Sequence, residues 1–66
     1  MITLQLHSEI FSVDNIEYTK EAYADFANIN IKSENNYWLV TFSDCKYDEK
    51  ETIKAFENYL IGLENS

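Results

Sequence analysis

His7 and Cys45 are the only histidine and the only cysteine among 66 residues, so nucleophilic, redox or transition-metal chemistry would have to pass through them. His7 falls on the polar side of an alternating run. Acid–base use would require a nucleophile or acid partner within hydrogen-bond reach, and a lone imidazole offers no second metal ligand of its kind. The expectation is a solvated or hydrogen-bonded surface histidine. Cys45 sits in the stretch Ser43, Asp44, Cys45, Lys46. A neighbouring ammonium favours the thiolate and a neighbouring carboxylate opposes it. With no C-x-x-C, neither a redox pair nor a zinc site is assembled, and a partly buried loop thiol is expected. Among the carboxylates, Asp44, Asp48, Glu49 and Glu51 cluster, but without the glycine of a calcium loop and with Lys46 and Lys50 among them. Paired carboxylates for glycosidic chemistry would need a cleft that so short a chain can scarcely build. The expected protein is therefore not an enzyme, with no cofactor and no metal.

Twelve acidic residues against five lysines and no arginine leave a formal charge of −7. Binding a polyphosphate needs cations to displace its counterions, so nucleic acid is disfavoured as a partner. Anionic membranes are disfavoured by the same arithmetic. The longest apolar run, Tyr37 to Val40, is far short of the ~20 residues of a membrane span. One cysteine closes no internal disulfide, and Met1 leads into an alternating stretch rather than a basic and then apolar signal, so a cytoplasmic protein is expected.

These residues have to be held by one small domain, since there is no proline, the only glycine is Gly62, and no linker or repeat interrupts the chain. Ile2, Leu4 and Leu6 alternate with Thr3, Gln5 and His7, the period of a strand with one buried face. Ser12, Asp14 and Asn15 supply acceptors for a helix start, and Ile16, Thr19, Tyr23 and Phe26 recur at helical spacing, predicting a helix from about Val13 to Ala27. Ile29 and Ile31, the polar turn Ser33 to Asn36, and the alternation Trp38, Val40, Phe42 predict a hairpin, with Asn35 and Asn36 suited to left-handed backbone. Asp48 followed by Glu51 resembles a capping box, and Ile53, Phe56, Leu60 and Leu63 form one stripe of a second helix from about Glu49 to Leu63.

The element order is β-α-β-β-α, an α+β fold. A right-handed crossover makes the first two strands parallel, and the simplest closure places the third between them with both helices on one face. This is a three-stranded, truncated ferredoxin-like split β-α-β, in which the outer edge of the first strand has no neighbour. A sheet order of 1-2-3 would instead open the edge of the third.

Trp38, Phe42, Tyr23, Phe26 and Phe56 fit the core pattern. Tyr18, Tyr37, Leu39, Tyr59 and Ile61 fall on faces assigned to solvent. Tyr37 and Leu39 would form an apolar patch on the uncovered sheet face beside an open edge, and such patches often mark contact sites, although scattered surface apolar residues are ordinary. Thr3, Gln5, Tyr37, Leu39 and Thr41 are the candidate partner-binding residues.

The segment Ile10, Phe11, Ser12, with Ile16, Ala22, Tyr23, Phe26, Ile29, Ile31 and the strand around Trp38, resembles the HxsD family of His-Xaa-Ser peptide-modification systems. The resemblance spans strand one through strand three and rests on aromatic and apolar positions rather than on reactive residues. It implies a small accessory protein working beside a radical-SAM enzyme that modifies a peptide with His-Xaa-Ser repeats. The chain itself has no such triplet, since Glu9 follows His7 and Ser8, and it has no cysteine trio, so iron–sulfur chemistry would belong to the partner.

Three readings follow. The first is an adaptor that binds a protein or peptide partner, by strand addition at an open edge or through the Tyr37 and Leu39 face. The second is an acidic inhibitor or nucleic-acid mimic in a basic groove, which would need its charge concentrated on one face. The third is a homodimer that pairs two open edges.

Overall fold

A computed structural model describes residues 1–66 as three strands and two helices: β1 (Ile2–His7), α1 (Val13–Ala22), β2 (Asn28–Glu34), β3 (Tyr37–Ser43) and α2 (Glu49–Glu64). The sheet order is β1-β3-β2, with β3 antiparallel to both neighbours, so β1 and β2 run parallel. The expected α+β arrangement is the one observed, and the 1-2-3 order is not. Ile2, Phe42 and Ile29 lie in one row across the sheet, and Leu4, Val40 and Ile31 in the next. Their common face meets Ile16 from α1 and Phe56 and Leu60 from α2 in one buried cluster. Phe42 and Phe56 meet edge to face with centroids 5.1 Å apart, a geometry that adds about 1 kcal/mol to their burial.

Each helix begins on the side chain that the sequence puts before it. Ser12 Oγ accepts the Asn15 amide (3.4 Å), and Asp48 Oδ2 accepts that of Glu51 (3.1 Å). Buried Thr19 and Thr52 donate their hydroxyls back to the carbonyls of Asn15 and Asp48, which lets two polar side chains sit in the core without an unpaired group.

The first helix is shorter than its periodicity predicts, ending at Ala22 rather than Ala27. The Tyr23 amide is shared between the carbonyls of Thr19 and Lys20, and the next bonds are short-range, Ala24 to Glu21 and Phe26 to Tyr23. The Phe26 carbonyl accepts the Lys46 amide at 2.7 Å, tying this turn to the loop after β3. Phe26 is thereby displaced from the core position expected of it and is 37% exposed, while Ala27 is buried. The hairpin turn is also tighter than expected. Ser33 and Glu34 remain in β2, opposite Trp38 and Tyr37, leaving Asn35 and Asn36 to reverse the chain, with Asn35 at φ 53°.

The two helices are also joined end to end. The Ser12 amide donates to Glu64 Oε2 at 2.8 Å, and the Ser12 hydroxyl lies 3.3 Å from the same oxygen. A carboxylate in the last turn of α2 therefore sits at the positive end of α1, which suits both charges. The Ser12 backbone hydrogen bond, helped by the Asn15 and Ser12 side chains and opposed by desolvation, holds the Glu64 carboxyl below its ordinary range. No helix is long and apolar enough to cross a membrane.

Candidate functional site

All five candidate binding residues lie on the sheet face away from the helices. The register pairs Thr3 with Thr41 and Gln5 with Leu39, and places Tyr37 opposite His7 at the end of the same face. Asn30, Lys32 and Glu34 extend these rows across β2. The two threonine hydroxyls are 3.2 Å apart, and the His7 ring meets Tyr37 edge to face at 5.2 Å. Tyr37 is 40% exposed and Leu39 half-buried, so the apolar patch amounts to these two side chains within a polar surround.

β1 and β2 are each paired on one side only, and the outer edge of β1 runs beside Thr3 and Gln5 of this face. The Met1 ammonium lies 3.3 Å from the Glu49 carboxylate, bringing the start of α2 over the start of β1. Ile53, one turn further along α2, and Leu4 of β1 both pack against the core while staying partly exposed. A strand arriving at this edge would find free backbone groups and, above them, an apolar margin not yet fully covered.

The residues with chemical potential are not brought together. His7 lies opposite Tyr37 at the beginning of β3, whereas Cys45 follows its end, so about 20 Å of strand separates them. His7 Nδ1 accepts the Glu9 amide at 3.3 Å, and half-buried Cys45 packs against the core. No group of three or more histidine, cysteine, aspartate and glutamate side chains is arranged to hold a metal ion.

Comparison with family models, curated proteins and solved structures gives no match to this chain. The geometry is therefore what bears on its function.

A second surface lies on the helical side, where Tyr23, Phe26, Tyr47 and Tyr59 line an open groove of about 480 Å³ with Glu51 and Ala55. Periodicity places Tyr23 and Phe26 in the core and Tyr59 on a solvent face; Tyr23 does pack partly against the core, Phe26 does not, and Tyr47 lies in a loop that no periodicity describes. One signal was legible, since Glu51, Ala55 and Tyr59 recur every fourth residue and so share a face of α2 beside the core stripe. The placement of Phe26 was not, because it depends on the early end of α1. The Tyr59 phenol is held above its ordinary pKa, first by desolvation and then by the neighbouring Tyr18 and Tyr23 phenols.

Proposed function

We propose that this protein is a small non-catalytic adaptor that binds a protein or peptide partner by strand addition at the outer edge of β1. The observation that carries this reading is that edge, a strand paired on one side and flanked by the half-covered Leu4 and Ile53. An added strand gains backbone hydrogen bonds without requiring reactive side chains, and its own side chains would lie next to Thr3 and Gln5 on the open face, one strand away from Leu39 and Thr41. The separation of His7 from Cys45 supports leaving catalysis to the partner. The resemblance to the HxsD family suggests the partner class, a radical-SAM peptide-modifying enzyme or its precursor peptide, and a cytoplasmic setting accords with it.

Titration of isotopically labelled protein with a radical-SAM enzyme and precursor peptide from the same gene neighbourhood tests the reading. Amide shifts and slowed hydrogen exchange across Ile2–His7 are expected. Absence of binding, or shifts confined to α1 and α2, would overturn it. So would a mass that doubles on concentration with the β1 amides already protected, since the edges would then serve to pair two copies.

A further inference from the structure

The helical side carries a strip of rings that strand addition does not use. Tyr18 stacks on Tyr59 (6.4 Å), Tyr59 meets Tyr23 (5.9 Å), Tyr23 meets Phe26 (5.8 Å) and Phe26 meets Tyr47 (6.0 Å). Tyr18, Phe26, Tyr47 and Tyr59 are all exposed. The groove among them shares Ala22 and Tyr59 with a smaller depression beside Tyr18 and Glu21. The charged side chains lining the two are Glu51 and Glu21, and no lysine lines either.

This composition selects an occupant by charge. Ring faces carry the negative part of the aromatic quadrupole, so rings and carboxylates present potential of one sign, which a cation satisfies and an anion does not. A purely apolar occupant would gain contact area but would strip water from Glu51 without giving it a partner. Within the chain Lys46 Nζ lies 5.9 Å from the Tyr47 ring centroid, at the outer limit of a cation–π contact, and an arriving guanidinium would displace it or take the other ring face. A planar guanidinium can stack on a ring and pair with a carboxylate at once, which an ammonium does less well. A groove of about 480 Å³ has room for such a side chain and the backbone that carries it.

We propose that the groove between Tyr23, Phe26, Tyr47 and Tyr59 binds an arginine side chain presented by a peptide segment of a protein partner, with Glu51 pairing its charge. The site is separate from the edge of β1, and either can be occupied without the other.

The probe is the blocked tripeptide acetyl-Gly-Arg-Gly-amide, set against its neutral twin with citrulline in place of arginine, with aromatic and amide shifts as the readout. Saturable shifts of the Tyr23, Phe26, Tyr47 and Tyr59 rings are expected with arginine, and binding at least about tenfold weaker with citrulline. Glu51→Gln should weaken arginine binding by about fivefold, and its amide remains capped by Asp48, so the melting temperature checks that the fold is kept. Tyr47→Leu retains an apolar wall but removes a ring face, and should also weaken binding severalfold. Equal binding of both peptides, no saturable shift at roughly 10 mM peptide, or shifts only in β1 would overturn the proposal. Since the β1 amides are followed in the same spectra, failure at the groove is distinguishable from failure at the sheet edge.

Discussion

Val40 and Thr41 are consecutive residues of β3, yet Val40 is fully buried between Leu4 and Ile31 while Thr41 stands partly exposed between Thr3 and Asn30. The strand pleat puts them on opposite faces, and the faces answer to different physics. On Val40's side the neighbours across the sheet are apolar, and the two threonines buried beneath it satisfy their hydroxyls on their own helix carbonyls. On Thr41's side the neighbours are mostly hydroxyls, amides and single charges that water can also satisfy, with Leu39 and Tyr37 as the apolar exceptions. One face of the sheet holds the fold together, and the other can change its side chains with little effect on folding.

That contrast can be broken or sharpened by substitution. Phe42→Ala empties a fully buried site against Phe56 and should cost about 3–5 kcal/mol, comparable with the whole stability expected of a 66-residue domain; circular dichroism should show a largely unfolded chain at 25 °C. Asp48→Ala removes the acceptor for the Glu51 amide and should cost about 1 kcal/mol, seen as a lowered thermal midpoint with the fold intact. Glu64→Gln acts through pH. Because folding lowers the Glu64 pKa, its stabilisation is complete above the ordinary carboxylate range and is lost as pH falls through the lowered value. Denaturant melts of the parent should therefore weaken on acidification more steeply than those of the variant, the two converging at low pH. Leu39→Thr on the open face should move stability by no more than about 0.5 kcal/mol. A large loss there would show that the open face also carries structural load.

Period-two alternation in Ile2–His7 and Tyr37–Ser43 was enough to assign both faces of β1 and β3, because a strand's register with one buried side leaves little choice. Ser12 and Asp48 were legible as caps for a similar reason, since few side chains can accept the first amides of a helix. The end of α1 was not legible. The chain leaves α1 through short-range turn bonds at Tyr23, Ala24 and Phe26, and the Lys46 amide then meets the Phe26 carbonyl, a contact across twenty positions that no local pattern encodes. The groove depends on that contact, because the turn it fixes carries Phe26 out to meet Tyr47. The candidate residues Thr3, Gln5, Tyr37, Leu39 and Thr41 could be placed on one face from alternation alone, whereas an aromatic surface built from two helices and a loop needed the tertiary structure.

The central position of β3 also has a consequence in time. Its pairing with β2 closes across a two-residue turn, whereas Ile2 meets Phe42 only after about forty intervening positions have been gathered in. Loop-closure entropy sets the expected sequence of events, with the hairpin forming early and β1 docking late. Kinetic φ-values that are high at Ile31 and Val40 and near zero at Leu4 would show that order. A strand that arrives last is also the natural one to leave first, and its departure would uncover the flank of β3. Two crowded copies could then trade their first strands, giving an exchanged dimer with the same contacts as the monomer.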